Sequence, residues 1–255
     1  MVQAPQRTAV SGPTLVRLLA RLTTADVPAS SQSLSDQLSQ WLGWTDAIAL
    51  STALNSAPPA VASGARGAGS VEHECARVRA SLADAIAGDS MLAPRRRRSA
   101  AHAQNAPQPE AEANYGDFRQ CYLALQQSME TRIGGLRGRL RNMVAAQTSE
   151  MTRLAVVDAI MERSLGARER SLFGAVPGLL SGHFERLRQA AQAAQDEQDA
   201  LAAAATTATG TGSQAAPRPG AWLDVFRKDM QSVLLAELDI RFQPVEGLLA
   251  ALRIS

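Results

Sequence analysis

Apolar residues recur along this chain at spacings of three and four, the period of an α-helix, rather than alternating as they would in a strand. The longest stripe begins at Tyr115, where Asn114 can cap a helix, and it predicts one long helix. Two consecutive steps of four, from Leu125 to Ile133, come directly before Gly134 and Gly135, and we expect a bend or slip at these glycines. The members of this stripe are Tyr115, Phe118, Tyr122, Leu125, Met129, Ile133, Leu136, Leu140 and Met143.

Shorter stripes predict helices on both sides of this one. Before it, we expect helices after Pro13, from Ser33 as N-cap through Ile48, and from Val71 to Gly88. After it, we expect helices over 149–165, onward to 205 with a boundary at Pro177, over 221–242, and a short last one opened by Pro244. Seven or eight amphipathic helices predict an all-α fold, an antiparallel helical bundle with long helices and disordered linkers.

Three stretches rich in Pro, Gly, Ala and Thr divide the chain, because such segments offer little apolar surface for a core. The predicted division is an N-terminal helical segment at 1–55, a linker at 56–70, a single helix at 71–88, an Arg- and Pro-rich linker at 89–114, a central long-helix bundle at 115–201, a linker at 202–220, and C-terminal helices packing on the bundle at 221–255.

Composition narrows the class of protein. Aromatic residues make up 4% of the 255 residues, too few for most sheet proteins, and a net charge of +2 excludes a histone-like chain. Cys75 and Cys121 fall in predicted helices and indicate no disulfide framework. Because no run of 18 apolar residues occurs, we expect no membrane span and a cytoplasmic location.

The residues that carry catalytic chemistry are few. His73, Glu74 and Cys75 resemble a fragment of a zinc motif, but no second pair of ligands stands at the required spacing. The alternative is that Cys75 faces the core while His73 and Glu74 face solvent. We therefore expect no enzyme activity, no catalytic residues, no metal and no cofactor, although carboxylates that meet only in space stay open as an enzyme site.

Arginine supplies 25 of the 26 basic residues, and eight of them form two clusters without acids. One lies in a linker and the other on the central helix, and they consist of Arg95, Arg96, Arg97, Arg98, Arg132, Arg137, Arg139 and Arg141. Guanidinium groups bind phosphate well, so sequence-nonspecific DNA binding is one interpretation. Pairing with acids of neighbouring helices is the other.

Two tryptophans form the most distinctive local feature. Trp41 and Trp44, with Asp46 and Ile48, are predicted to lie on one helix and to give it a wide apolar surface. Such a surface belongs either to the core or to an interface with a partner helix. Because long linkers tether this segment, we take these four residues as candidates for partner binding.

Three strings carry a family resemblance: SGPTLVRLL at 11–19, LSQWLGWTDAI at 38–48, and Y-x-x-F-x-x-x-Y-x-x-x-Q-x-x-M-E from Tyr115 to Glu130. They resemble a proteobacterial family catalogued only as a domain of unknown function. Its members are similar to the smaller cytosolic component of type III Zorya anti-phage defence systems. The resemblance implies a helical interaction protein acting with a stator-like membrane complex and a second cytosolic protein. It supplies no catalytic residues, and a DNA-binding effector remains the alternative.

Overall fold

The computed structural model describes residues 13–23, 32–56, 68–93, 113–205 and 220–254. Every regular element within these ranges is an α-helix, which confirms the all-α prediction. In chain order they are α1 (Thr14–Thr23), α2 (Leu34–Trp41), α3 (Trp44–Asn55), α4 (Ala68–Ala87), α5 (Tyr115–Ala145), α6 (Ser149–Ala205) and α7 (Ala221–Ile254).

Helices α4 to α7 form an up-down-up-down bundle. The antiparallel direction of α5 and α6 follows from two contacts, Tyr115 with Pro177 near one end and Arg141 with Glu162 near the other. Two ion pairs, Arg79 with Asp239 and Arg253 with Glu72, show that α4 and α7 are also antiparallel. His183 with Asp229 and Glu169 with Arg241 show that α6 and α7 are antiparallel too, so α5 and α7 run in the same direction. They are in contact with each other, with α4 on one side and α6 on the other. The predicted antiparallel bundle is confirmed.

The main apolar core draws on α1 and on all four bundle helices. Three of its phenylalanines, Phe118, Phe184 and Phe226, meet at one end with ring centroids 5.0 to 5.9 Å apart. Phe226 makes edge-to-face contacts with the other two rings. Helix α7 contributes buried side chains along its whole length, from Leu223 to Leu252, because four other helices pack around it. Among the described residues 32–56, none belongs to this core.

The predicted helix boundary at Pro177 is wrong. Helix α6 continues from Ser149 to Ala205 through the proline. A proline has no N–H to donate to the carbonyl four residues earlier, here that of Phe173. The side-chain amide of Gln126 donates to that carbonyl instead, at 3.0 Å, so tertiary contact replaces the missing helical hydrogen bond. Pro244 likewise lies inside α7, so no separate last helix forms.

Other predicted boundaries move by a few residues. Helix α4 begins at Ala68, inside the predicted linker 56–70. Helix α6 extends past residue 201 to Ala205, because its last four residues are alanines, which have the highest helix propensity. Helix α5 is continuous through Gly134 and Gly135. The predicted helix from Ser33 is two helices, since Leu42 and Gly43 have extended backbones. Within the predicted linkers, residues 57–67, 94–112 and 206–219 lie outside the described ranges.

Burial on α5 predicts a large loss of stability from a single truncation. Leu140 is fully buried, so Leu140→Ala should lower the free energy of unfolding by about 2–5 kcal/mol. Leu172→Ala is the control, because that side chain is 59% exposed on α6 and its loss should cost within about 0.5 kcal/mol. Urea unfolding followed by circular dichroism measures both. Equal losses would contradict the packing described.

Candidate functional site

Residues 32–56, here the N-terminal arm, lie along α6 outside the main core. The guanidinium of Arg168 lies 4.6 Å from the centre of the Trp41 ring, and a carboxylate oxygen of Asp46 is 3.9 Å from Arg163. Near the other end, Nε of Arg153 donates to the carbonyl of Ser56 at 3.2 Å. Residues 41, 46 and 56 of the arm contact residues 168, 163 and 153 of α6, so the arm runs antiparallel to α6. Three arginines of α6 hold the arm in place.

The prediction that Trp41 and Trp44 share one helix is wrong. Trp41 is the last residue of α2, Trp44 is the first of α3, and Gly43 is the N-cap between them. Trp41 is half-buried beneath Arg168, whereas Trp44 is 82% exposed. The extended backbone at Leu42 and Gly43 therefore turns the two indoles to different surroundings.

The candidate partner-binding residues divide between two faces of α3. Asp46 turns towards α6, on the same side as Ala53, the one buried side chain among those described in the arm. Trp44 and Ile48, four residues apart, point away from α6, and Ile48 is 52% exposed. Helical spacing places Ser51 and Asn55 with them, and we call these four residues the outer face of α3.

Sequence reasoning missed Leu54, which is 54% exposed at the edge of the outer face. The signal that could have found it is the composition of α3, which carries apolar residues all round and one charge, Asp46. A helix of this kind normally lies in a core. Here one side meets α6, and the other has no described partner side chain to bury it.

Three of the four candidate arginines on α5 make ion pairs. Nε and a terminal nitrogen of Arg137 donate to the carboxylate of Asp158 at 3.0 and 2.6 Å, and Arg141 reaches Asp158 and Glu162. Burial alone would lower the pKa of Arg141, but its hydrogen bonds to these two acids raise it. Arg137 and Arg141 therefore face α6 instead of presenting free charge to solvent.

The remaining candidate arginines have different surroundings. Arg139 pairs with Glu74 of α4 at 2.6 Å. Arg132 is half-buried and has no ion pair within the described part of the chain. The linker cluster, Arg95, Arg96, Arg97 and Arg98, lies outside the described residues. Pairing with neighbouring helices therefore accounts for Arg137, Arg139 and Arg141, and DNA binding stays a prediction.

A polar network that sequence reasoning missed lies inside the bundle around Glu237, whose side chain has no exposed surface. The hydroxyl of Tyr122 donates to its carboxylate at 2.7 Å, the amide of Gln126 donates at 2.9 Å, and Nε of Arg241 donates at 2.8 Å. Burial, together with the negative charge of Glu237, raises the pKa of Tyr122. The phenol therefore stays protonated as a donor, and the network joins α5 to α7.

The three residues of the zinc-like motif, His73, Glu74 and Cys75, do not form a common site. Cys75 is buried and His73 is exposed, as in the alternative given for that motif, whereas Glu74 is half-buried and pairs with Arg139 of α5. In the described residues, no three His, Cys, Asp or Glu side chains come together as a metal site.

None of the described helices combines the length and apolarity needed to span a bilayer. His183 is buried and bonds to Asp229 at 2.9 Å, next to the ring of Phe226.

One known protein family matches this chain along its length. The chain belongs to a family described as protein of unknown function (DUF3348), which it matches over residues 1–254. No curated protein and no solved structure matches it. The predicted membership in a domain-of-unknown-function family is thus confirmed across the DUF3348 chain.

The buried network predicts a steep cost for removing its carboxylate. Glu237→Ala leaves Arg241 buried without its closest acid, so the free energy of unfolding should fall by about 3–5 kcal/mol. Tyr122→Phe removes one donor and should cost about 1–3 kcal/mol. Asp239→Ala is the control two residues along α7, 58% exposed, and should cost within about 1 kcal/mol. Chemical denaturation measures all three, and a neutral Glu237→Ala would refute the role of the network.

The thiol of Cys121 should be unreactive in the folded protein. Burial and the neighbouring carboxylate of Asp89 raise its pKa to about 12, so at about pH 8 the thiolate is on the order of one in ten thousand. Alkylation should be slow at that pH, quicken as the pH rises towards 12, and become fast at about pH 8 on unfolding in guanidinium. Peptide mass mapping after timed labelling with iodoacetamide measures this. Rapid labelling of the folded chain at about pH 8 would contradict the burial.

Proposed function

We propose that this protein is a non-enzymatic helical interaction protein that works in the cytoplasm as a component of a Zorya-like anti-phage defence system. The observation that supports an interaction role is the outer face of α3, where Trp44 and Ile48 are 82% and 52% exposed. Solvent-exposed tryptophan next to a branched aliphatic residue is typical of a contact surface, since aromatic anchors contribute most to interfaces.

The partners proposed are a stator-like membrane complex and a second cytosolic protein. Their identity rests on the resemblance carried by the strings at 11–19, 38–48 and 115–130. The middle string contains all four candidate residues, and two of them, Trp44 and Ile48, also form the exposed surface. This coincidence is the reason to place partner binding on the N-terminal arm.

DNA binding receives less support from the geometry. A duplex is bound by arginines that are free to pair with phosphates. Arg137, Arg139 and Arg141 already pair with carboxylates, and releasing them would leave Asp158 without its partners in a half-buried site. An interaction protein therefore explains more of the described surface than a DNA-binding effector does.

Co-purification tests the proposal. A tagged chain expressed with its neighbouring genes should retain the stator-like complex or the second cytosolic protein. Trp44→Ser combined with Ile48→Ser should lower the retained amount by roughly tenfold or more, because the interface loses its aromatic anchor. Val225→Ser on α7 is the control, since Val225 is 48% exposed and lies far along the chain from the arm.

Two results would contradict the proposal. Failure of the unmodified chain to retain any neighbour, under conditions that keep the membrane complex intact, would remove the defence-system role. Equal retention by the Trp44 and Ile48 variant and by the Val225 variant would remove the arm as the binding surface. Thermal unfolding of each variant confirms that the fold is unchanged, which is expected because all three side chains are exposed.

A further inference from the structure

Ile160 lies on the side of α6 that faces away from the bundle. Asp158 and Glu162, two residues to either side of it, pair with arginines of α5, and Glu169, nine residues on, meets α7. Such spacings turn a helical side chain by about 180–200°. Ile160 is nevertheless 7% exposed, and it does not belong to the main core. An element other than α5 or α7 therefore covers it.

The element that covers Ile160 is the N-terminal arm. Arg153 and Arg163, seven residues before Ile160 and three after it, share its side of α6, and each contacts the arm. Between these two contacts α3 packs antiparallel against α6. This packing buries Ala53, the one buried side chain among those described in the arm. The burial is mutual, because Ala53 and Ile160 are each covered by the other's helix.

The polar contacts that hold the arm are exposed or long. Arg163 is 66% exposed and its carboxylate partner is 3.9 Å away, so water and salt screen this pair. Arg168 lies against a half-buried indole, and Arg153 donates to a backbone carbonyl at 3.2 Å. By contrast, α5 and α7 share the buried network of Glu237 and a continuous apolar core. The arm is therefore bound to the bundle more weakly than the bundle helices are bound to one another.

Helix α3 is too short to persist once it leaves α6. It has 12 residues, and isolated helices shorter than about 12–15 residues are marginal in water. Its N-cap, Gly43, makes no side-chain hydrogen bond to the first turn. Separation from α6 therefore unfolds α3, and the amides of residues 44–55 lose their helical hydrogen bonds in the same step.

We infer that the N-terminal arm is a detachable cover: α3 separates from α6 and unfolds while α4 to α7 stay folded, and this opening exposes the strip of α6 around Ile160. Local opening of this kind occurs in segments that bury few apolar contacts and lie outside the cooperative core. The chain thus has a closed state that hides Ile160 and an open state that presents it between Arg153 and Arg163. The inference does not depend on the proposed function, because it concerns an equilibrium within the chain itself.

Hydrogen exchange of the unmodified full-length chain tests the inference. Mass spectrometry of peptides should show the amides of 44–55 exchanging at least about a hundredfold faster than those of 118–140 on α5, because exchange in the arm needs only its own opening. The amides of 157–163 should stay protected with α5, since α6 remains folded. Exchange of all three segments at one common rate would overturn the inference. So would an α3 without any protection, because no closed state would then exist.

Weakening one contact of the arm should open it more often and leave the bundle unchanged. Arg163→Gln removes the ion pair to the arm and should speed exchange in α3 roughly threefold. Arg168→Gln removes the cation from the indole and should speed it by a similar factor. Arg170→Gln is the matched control, because Arg170 is 60% exposed on the same helix but pairs with Glu130 of α5. Equal acceleration of α3 by Arg163→Gln and Arg170→Gln would contradict the role given to these contacts.

Thiol labelling tests whether the opening exposes the strip of α6. Ile160→Cys places a thiol beneath the arm, and Leu140→Cys places one in the main core, where the native side chain is fully buried. The thiol at position 160 should react with iodoacetamide at least about tenfold faster than the thiol at position 140, and added Arg163→Gln should speed the first alone. Peptide mapping separates both from Cys75 and Cys121. Equal rates at the two positions would mean that the strip is uncovered only when the whole chain unfolds, and would overturn the inference.

Discussion

The carboxylate of Glu237 has no water to solvate it, so the helices around it must supply the hydrogen bonds that solvent would give. Tyr122 and Gln126 supply them from α5, and Arg241 supplies another from the next turn of α7. Stripes of leucine and methionine tolerate a slip of one turn, because one apolar contact replaces another. A buried charge does not, since a slip would leave it unpaired at a cost of several kcal/mol. The network therefore fixes the register of α5 against α7.

The same network extends to α6 through a proline. Pro177 removes a helical hydrogen bond and would by itself cost about 3 kcal/mol. Gln126 donates to the freed carbonyl of Phe173 as well as to Glu237, so one amide links all three helices. The guanidinium of Arg241, on α7, lies 4.2 Å from the centre of the Phe173 ring. Phe173 is one turn before Pro177 on α6. A proline, which normally ends helices, thus leaves the carbonyl of Phe173 free as an acceptor where α5 and α7 meet α6.

Periodicity predicted most of the fold because burial follows it. On α5 the stripe residues Phe118, Tyr122, Met129, Leu136 and Leu140 are all buried. Glu237 and Arg241 were missed because charged residues are assigned to the surface when a sequence is read by hydropathy. Their signal was positional, since both continue the buried stripe of α7 from Met230 and Val233 towards Leu248. Only the packing of α5 and α6 against that stripe reveals what satisfies the charges.

The candidate site was predicted in part, for a similar reason. The segment 38–48 indicated an unusual surface, but apolar spacing alone carried one helix through Gly43, where the extended backbone ends α2 and begins α3. For the arginines of α5, the spacing held information: Arg137 and Arg141 are four apart, as are Asp158 and Glu162, and antiparallel helices bring such pairs together. The sequence of α5 alone does not say which helix packs against its arginines.

The contrast between the core and the arm has a functional consequence. The core contacts of the bundle are buried, and the network around Glu237 links three of its helices. The arm is held by exposed or half-buried contacts of Arg153, Arg163 and Arg168, which individually stabilise by about 1 kcal/mol or less. A partner that binds the outer face of α3 can therefore shift or replace these contacts while the network around Glu237 stays intact. Under the proposed function, this division would give the chain a rigid body and an adaptable docking element.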